Sequence, residues 1–357
     1  MSWMFLILGA AVIVLLEYYW APYSLRSVRF RGSCSKELAQ PGEIVTWSGT
    51  VENVSRLPIP FVRLMEKFPF QAKLHGDPRW IQNHYHQSMT QWYVEEKMAM
   101  LPLRSKTKTI QFSLPERGCY SIGNYQLATG DLLGFREISK TGQWQQIVIM
   151  PERSRNSSAL DAFGGFLGDI SVRRFIMEDP ILTVGFRDYT GREPMKSISW
   201  NRTASAGSIQ VRQYDHTAEQ HVMILLNVEG GSGEELEECF RLVRSVCEVL
   251  EQKKIPYGFC TNGNLPGPMG KLFWLAEGLG QRHMNTILYG LGRADYTCYS
   301  SLHYLTERTL RQRKSNESYI VVTPELTEKS RSAIRKLNAA VGSGVFVLEG
   351  KGETEKK

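Results

Sequence analysis

The sequence predicts an α+β multidomain protein: an N-terminal membrane helix, a β-sandwich, then a doubly wound α/β domain. Three observations predict it. An uncharged apolar run opens the chain. Short alternating segments broken by Gly and Pro fill residues 27–150. From about residue 219 the pattern changes to continuous apolar runs separated by helical stripes. With 357 residues, 42% of them hydrophobic and 22% charged, there is ample material for packed cores. The expected organisation is an anchor at 1–20, a sandwich at 27–150, a connecting segment at 151–218, the α/β domain at 219–350 and a charged tail at 351–357.

The anchor is WMFLILGAAVIVLL, which carries no charge, followed by Glu17 and the aromatic cluster Tyr18, Tyr19 and Trp20. A span needs roughly 20 residues, and Trp3 to Trp20 suffices. A secretory signal would want a basic start and a small-x-small cleavage site. Nothing basic precedes the run and bulky aromatics follow it, so the segment reads as an uncleaved anchor. Arg26, Arg29 and Arg31 come next, which places the C-terminal side in the cytoplasm of a single-pass inner (plasma) membrane protein. The net charge of +7 suits anionic headgroups. No zinc-finger, helix-turn-helix or RNA-binding signature accompanies it, so nucleic acid is not an expected partner.

The sandwich is read from SVRFRG, from the two strand-like runs of IVTWSGTVENVSRLPIPFVRLMEKF, from KTKTIQFSLPERGCYSIGNYQLATGDLLGFREI and from QWQQIVIMPE. His75 to Met100 reads as an inserted hairpin or loop. His84 and His86, two apart, could share an ion from one strand face. No acid or cysteine completes a tetrahedral set, which favours exposed polar strand residues. The six cysteines form no C-x-x-C and have no metal spacing with histidine. Cys239 and Cys247 lie beside Val243 and Leu250 and read as reduced core thiols.

In the α/β region HVMILLNV is a strand buried on both faces. The helix GEELEECFRLVRSVCEVLEQKK follows, with Glu234, Glu235, Glu237 and Glu238 at its start and Lys253 and Lys254 at its end, the order favoured by the helix dipole. Leu236, Phe240, Val243, Cys247 and Leu250 are its apolar stripe. IPYGFCT, SYIVVTP and GVFVLEG are further strands, the last two separated by the helix TEKSRSAIRKLNAA. Ligands of such sheets sit beyond the strand C-termini, which directs attention to the loop NVEGGSG.

That loop lacks both G-x-G-x-x-G and G-x-x-x-x-G-K-[ST], and the acids after it oppose a phosphate. It resembles the position where a von Willebrand factor A domain carries Asp-x-Ser-x-Ser to hold magnesium. The matching residues are Asn227, Glu229 and Gly231. Asn227, Glu229 and Ser232 could offer oxygens to Mg2+, though in an altered pattern, and a tight turn capping the helix is the favoured reading. No cofactor is expected; Mg2+ is the one ion the loop brings into question.

The stretch RDYTGREPMKSISWNRTASAGSIQVRQYD joins the two regions. Pro194 suits a first helical turn, Met195 and Ile198 would share a face, and Gly207 would end the helix. Ile209 and Val211 would then point one way along a strand. Through Arg187, Tyr189, Gly191, Ile198, Trp200, Thr203, Ala204, Val211 and Arg212 the chain resembles the bacterial domain-of-unknown-function 58 family. PGEIVTWSGTVENVSRLPIP and RGCYSIGNYQLATGDLLGF extend the likeness over the sandwich. Where the family has Gly-Asp and Ala-Arg this chain has Gly191-Arg192 and Ala204-Ser205, and it has one visible span where the family often has two.

The resemblance implies a non-catalytic membrane-anchored adaptor. It would act with a MoxR-type AAA+ ATPase, and with a transglutaminase-like membrane protein, in assembly or maintenance of an envelope complex. A divalent-metal-dependent adhesion module is the alternative. A hydrolase ranks behind both: His216 beside Asp215 has no evident nucleophile, and G-x-S-x-G is absent. The motif itself reads in two compatible ways. Arg187, Asp188, Arg202 and Arg212 would form ion pairs around a buried Trp200, and Arg192, Lys196 and Arg202 would face an acidic partner.

Overall fold

The computed structural model describes residues 2–76, 85–87, 91–131, 136–142, 145–174, 183–191, 193–214, 221–267, 270–271, 274–312, 317–341 and 344–351. The chain divides into two compact units. One comprises Met1–Glu152 with Leu291–Arg293, the other Arg153–Gly290 with Ala294–Lys357.

The first unit opens with helix α1 (Ser2–Ser27), which includes a stretch, Ile7–Ser27, long and apolar enough to cross a membrane. The helix does not stop at Trp20, where the anchor was expected to end. It passes through Pro22, and beyond the proline two serine hydroxyls back-bond to helix carbonyls: Ser24 Oγ donates to Ala21 O at 2.8 Å and Ser27 Oγ to Tyr23 O at 2.8 Å. Ala21 and Ser24 are fully buried, and Ser24 Oγ lies 3.0 Å from Thr129 Oγ1. The last turns of α1 are thereby part of the sandwich core.

The sandwich strands are β1 (Val28–Cys34), β2 (Leu38–Ala39), β3 (Val45–Asn53), β4 (Ile59–Pro69), β5 (Lys73–His75), β6 (Tyr85–Gln87), β7 (Gln91–Met100), β8 (Ser105–Ser113), β9 (Gly118–Ile122), β10 (Asn124–Gly130), β11 (Glu137–Gly142) and β12 (Gln145–Ile149). They form sheets ordered β1-β3-β8-β5, β11-β10-β4-β7-β6 and β2-β12-β9. Every described pair is antiparallel except β2 with β12. Strand β3 alternates buried and half-buried positions along its whole length, as one face on a core requires.

The first two sheets face each other. Phe68 of β4 meets Phe112 of β8, with ring centroids 5.8 Å apart, and Phe30 of β1 meets Tyr125 of β10 at 4.3 Å. A buried polar pair sits between them: Trp47 Nε1 donates to Glu66 Oε1 at 2.6 Å. Burial pushes the Glu66 carboxyl above the usual carboxylate range. The expected insertion at His75 to Met100 contains strands β6 and β7, paired so that His86 opposes Tyr93. His84 and the side chain of His86 lie outside the described residues.

The second unit contains helix α2 (Ser157–Arg174), strands β13 (Thr183–Asp188) and β14 (Gln210–Tyr214), helix α3 (Trp200–Ala206), β15 (His221–Leu226), α4 (Gly233–Gln252), β16 (Tyr257–Thr261), the small pair β17 (Pro266–Gly267) and β18 (Gly270–Lys271), β19 (Trp274–Gly278), α5 (Gln281–Arg293, of which Leu291–Arg293 belong to the first unit), α6 (Leu302–Arg311), β20 (Glu317–Thr323), α7 (Glu328–Val341) and β21 (Val345–Glu349). Its main sheet has the order β19-β16-β15-β20-β21, with β15, β16, β20 and β21 parallel and β19 antiparallel to β16. Met223 and Leu225 of β15 pack with Leu302 and Leu305 of α6 and Ala333 and Leu337 of α7. The intervening residues of β15 lie on the opposite face, as the two-residue strand period dictates.

Helix α4 begins as its sequence dictates. Ser232 is the N-cap and forms a reciprocal capping box with Glu235. Its stripe of Leu236, Phe240, Val243, Cys247 and Leu250 is fully buried. Burial pushes the thiols of Cys239, Cys247 and Cys260 up, Cys260 to about 12, so they are packing groups rather than nucleophiles.

Candidate functional site

Two places carry the sequence motifs: the C-terminal end of β15, and the hairpin module made by β13, α3 and β14.

At the strand end, Asn227 continues the ladder by donating its N–H to Val322 O at 2.8 Å, and its side chain is buried. Its Oδ1 accepts from Asn262 Nδ2 at 2.7 Å and from Glu229 N at 3.1 Å, and its Nδ2 donates to Thr323 Oγ1 at 3.0 Å. Asn262, just beyond β16 and also buried, accepts at Oδ1 from Val228 N at 2.9 Å and donates from Nδ2 to Ser300 O at 2.9 Å. Glu229 Oε2 accepts from Leu302 N at 2.9 Å and thus satisfies a free N–H at the start of α6. Ser232 is committed to capping α4.

The donor set therefore does not fit a magnesium ion. Asn227, Glu229 and Ser232, the three candidate ligands, each hold a backbone or amide group of the protein. The position of the missing hydroxyl is also closed. A Cβ on Gly231 would lie 2.6 Å from Pro324 Cβ and 2.9 Å from Leu236 Cγ, closer than real Cβ atoms approach. Sequence reading missed Asn262 and Thr323. The available signal was a polar residue at the C-terminal end of each of two apolar parallel strands, Asn262 just after FCT and Thr323 closing IVVT.

The hairpin module is held by backbone pairing of β13 with β14, by a bridge between Ile198 and Val211, and by Tyr189 N donating to Ile209 O at 2.8 Å. Thr203 ties helix to strand: its Oγ1 donates to Ser199 O at 2.9 Å and accepts from Gln210 N at 3.0 Å. Gly207 closes α3 at φ 72°, a left-handed conformation that glycine adopts without strain. Gly191 turns the loop after β13 at φ 88°. Arg187 Nη1 lies 2.6 Å from Glu193 Oε1. The Thr190 hydroxyl donates to the same carboxylate at 2.8 Å, and this bond, assisted by Arg187, holds the Glu193 carboxyl down at about 2.

Several expectations for this module are corrected. Trp200 is not buried: it is 61% exposed. Helix α3 has only seven residues and sits at its first position on Trp200, while Ile198 and Val211 fill the small interior. Met195 and Ile198 do not share a face. Met195 lies in a 3-10 turn (Met195–Ser197) and is 71% exposed, whereas Ile198 is extended against Val211 and 7% exposed. Ile209 precedes the strand and is exposed, unlike Val211.

Of the charges expected to form ion pairs, Arg187 does so, whereas Asp188 and Arg202 have other partners. Arg187 pairs with Glu193, Asp188 accepts from Ser208 Oγ at 2.9 Å, and Arg202 lies over the Phe186 ring at 5.0 Å from its centroid. Lys196, Arg202, Ala204 and Arg212 are exposed. Arg192 and His216 lie outside the described residues.

In the sandwich, Ser113 Oγ lies 2.7 Å from His75 Nε2, a contact between neighbouring strands β8 and β5 that sequence reading did not anticipate. Among the described residues that imidazole has no carboxylate partner.

No family model matches the chain, and no curated protein is similar to it. Among solved structures, the chain is similar to the cupredoxin domain of amoB from Nitrosocaldus yellowstonii, with 12% identity over 35% of this chain and 87% of that one and a TM-score of 0.23. It is also similar to a non-cellulosomal cohesin from Archaeoglobus fulgidus, with 13% identity over 34% and 91% and a TM-score of 0.23. At such scores these likenesses assign neither fold nor function.

Proposed function

We propose that the chain is a non-catalytic, membrane-anchored adaptor. In this reading it works with a MoxR-type AAA+ ATPase, and with a transglutaminase-like membrane protein, in assembling or maintaining an envelope complex. Helix α1 would anchor it in the inner membrane with the soluble units on the cytoplasmic side, as Arg26, Arg29 and Arg31 favour. The order β19-β16-β15-β20-β21, with one antiparallel edge strand, supports a von Willebrand A-like domain in the second unit.

The observation that carries the reading is the surface of the hairpin module. An exposed Trp200 and Met195 share a short segment with exposed Lys196, Arg202 and Arg212, on a backbone locked by Thr203, Gly207 and the Arg187–Glu193 pair. Exposed tryptophan and arginine are the residue types that dominate binding energy at interfaces. The basic surround fits an acidic partner surface, and the internal lock lowers the cost of ordering on binding.

The test is capture of a purified MoxR-type ATPase by the full chain in detergent micelles. The double variant Lys196→Glu, Arg202→Glu is expected to abolish capture and to leave the unfolding temperature unchanged. Undiminished capture by that variant would remove the proposed docking face.

A further inference from the structure

We infer that the strand end of the second unit is closed without a cation. The Asn227–Asn262–Thr323 network stands where a strand-end metal would sit, so recognition by this domain is not gated by divalent ions. That the domain recognises a partner rests on the adaptor reading; the closed strand end does not.

Four features carry the inference. The side-chain oxygen of Asn227 already accepts two hydrogen bonds, at 2.7 and 3.1 Å, the capacity of an amide carbonyl. The other polar end of that side chain is an NH2 group, which cannot ligate a cation and points at Thr323 Oγ1. The strands cannot part to admit an ion without cost. Leu226 pairs with Thr261 on one side and with Val322 on the other, so the two amides and the threonine are fixed at adjacent strand ends. Finally, Pro324 and Leu236 occupy the space that a side chain at 231 would need.

The network also has a positive role. Asn262 bonds Val228 N and Ser300 O, and Glu229 bonds Leu302 N, so the loop after β15, the loop before α6 and the end of β16 are tied into one block. A magnesium ion would hold such loops through shared oxygen ligands. Here a chain of amides does so permanently.

The experiment is thermal unfolding of the full chain in detergent micelles, followed by tryptophan fluorescence, in EDTA and in millimolar magnesium or manganese chloride. Wild-type protein should unfold at the same temperature in each. Asn227→Ala should lower that temperature by about 4 to 8 °C in EDTA and in metal alike. Asn227→Asp should also lower it, with no recovery in metal, because the space at 231 stays blocked. A metal-dependent rise in the wild type, or recovery of Asn227→Asp by metal, would overturn the inference, as would an unaltered Asn227→Ala. Electron paramagnetic resonance of wild-type protein titrated with manganese chloride needs no variant. Only the free-ion signal is expected, and a saturable bound fraction lost on Asn262→Ala would contradict it.

Discussion

The strand end around Asn227 and the hairpin module around Trp200 use polar and aromatic residues in opposite ways. At the strand end, Asn227, Glu229 and Ser232 have the residue types of a ligand set, yet each is spent on the protein's own amides and helix starts. In the module, Trp200 is the residue type of a core, yet it faces solvent while Ile198 and Val211 make the interior. Residue type alone did not separate the two cases. What separates them is how many internal partners the local backbone brings within reach. Parallel strands converge on Asn227 from both sides, whereas a seven-residue helix has too little surface to cover a tryptophan.

The largest effect is expected at the strand end. Asn262→Ala removes one of the two donors to Asn227 Oδ1, the acceptor of the buried Val228 N–H and the donor to the half-buried Ser300 O. Denaturant unfolding of the full chain should report a loss of roughly 2–4 kcal/mol in the transition of the second unit. A loss below about 0.5 kcal/mol, the range of an ordinary surface substitution, would erase the contrast between the two regions.

A smaller effect is expected inside the module. Thr203→Val keeps the shape of the side chain and removes the acceptor for Gln210 N. The expected cost is about 1 kcal/mol, confined to the hairpin. Hydrogen exchange at the Gln210 amide should accelerate several-fold, and exchange in β15 should not change.

The pH response of the module is smaller again. The Glu193 carboxyl is held down at about 2, first by the Thr190 hydroxyl and then by Arg187. A carboxylate whose folded value lies below its unfolded one stabilises fully above the unfolded value, near 4.5, and loses that contribution as pH falls towards 2. The side chain is half-buried at the surface and its Arg187 partner is exposed, so the effect is screened by salt. Carbon-13 titration of the Glu193 carboxyl should give a midpoint near 2, and a midpoint near 4.5 would show that the lock does not form.

Much of the second unit was legible because its signals are local. Ser232 and Glu235 three residues apart specify the start of α4, and the period of Leu236, Phe240, Val243 and Cys247 specifies its buried side. HVMILL could be read as a central strand from its unbroken apolar run. The partnership of Asn227 with Asn262 was not legible, since it depends on the register of two strands far apart in sequence. The passage of α1 through Pro22 was hidden for a related reason: the sandwich strand carrying Thr129 supplies the contact that buries the last turns.

In the proposed adaptor, Trp200 docks a partner and does not pack the interior, in keeping with its 61% exposure. Trp200→Ala in the full chain should leave stability within about 0.5 kcal/mol of wild type, as for a surface position. The most direct measurement is the affinity of that variant for a purified MoxR-type ATPase, with both proteins in detergent micelles. At least a tenfold loss, about 1.4 kcal/mol, is expected at an unaltered unfolding temperature. Wild-type affinity, or a loss explained by a fallen unfolding temperature, would contradict it.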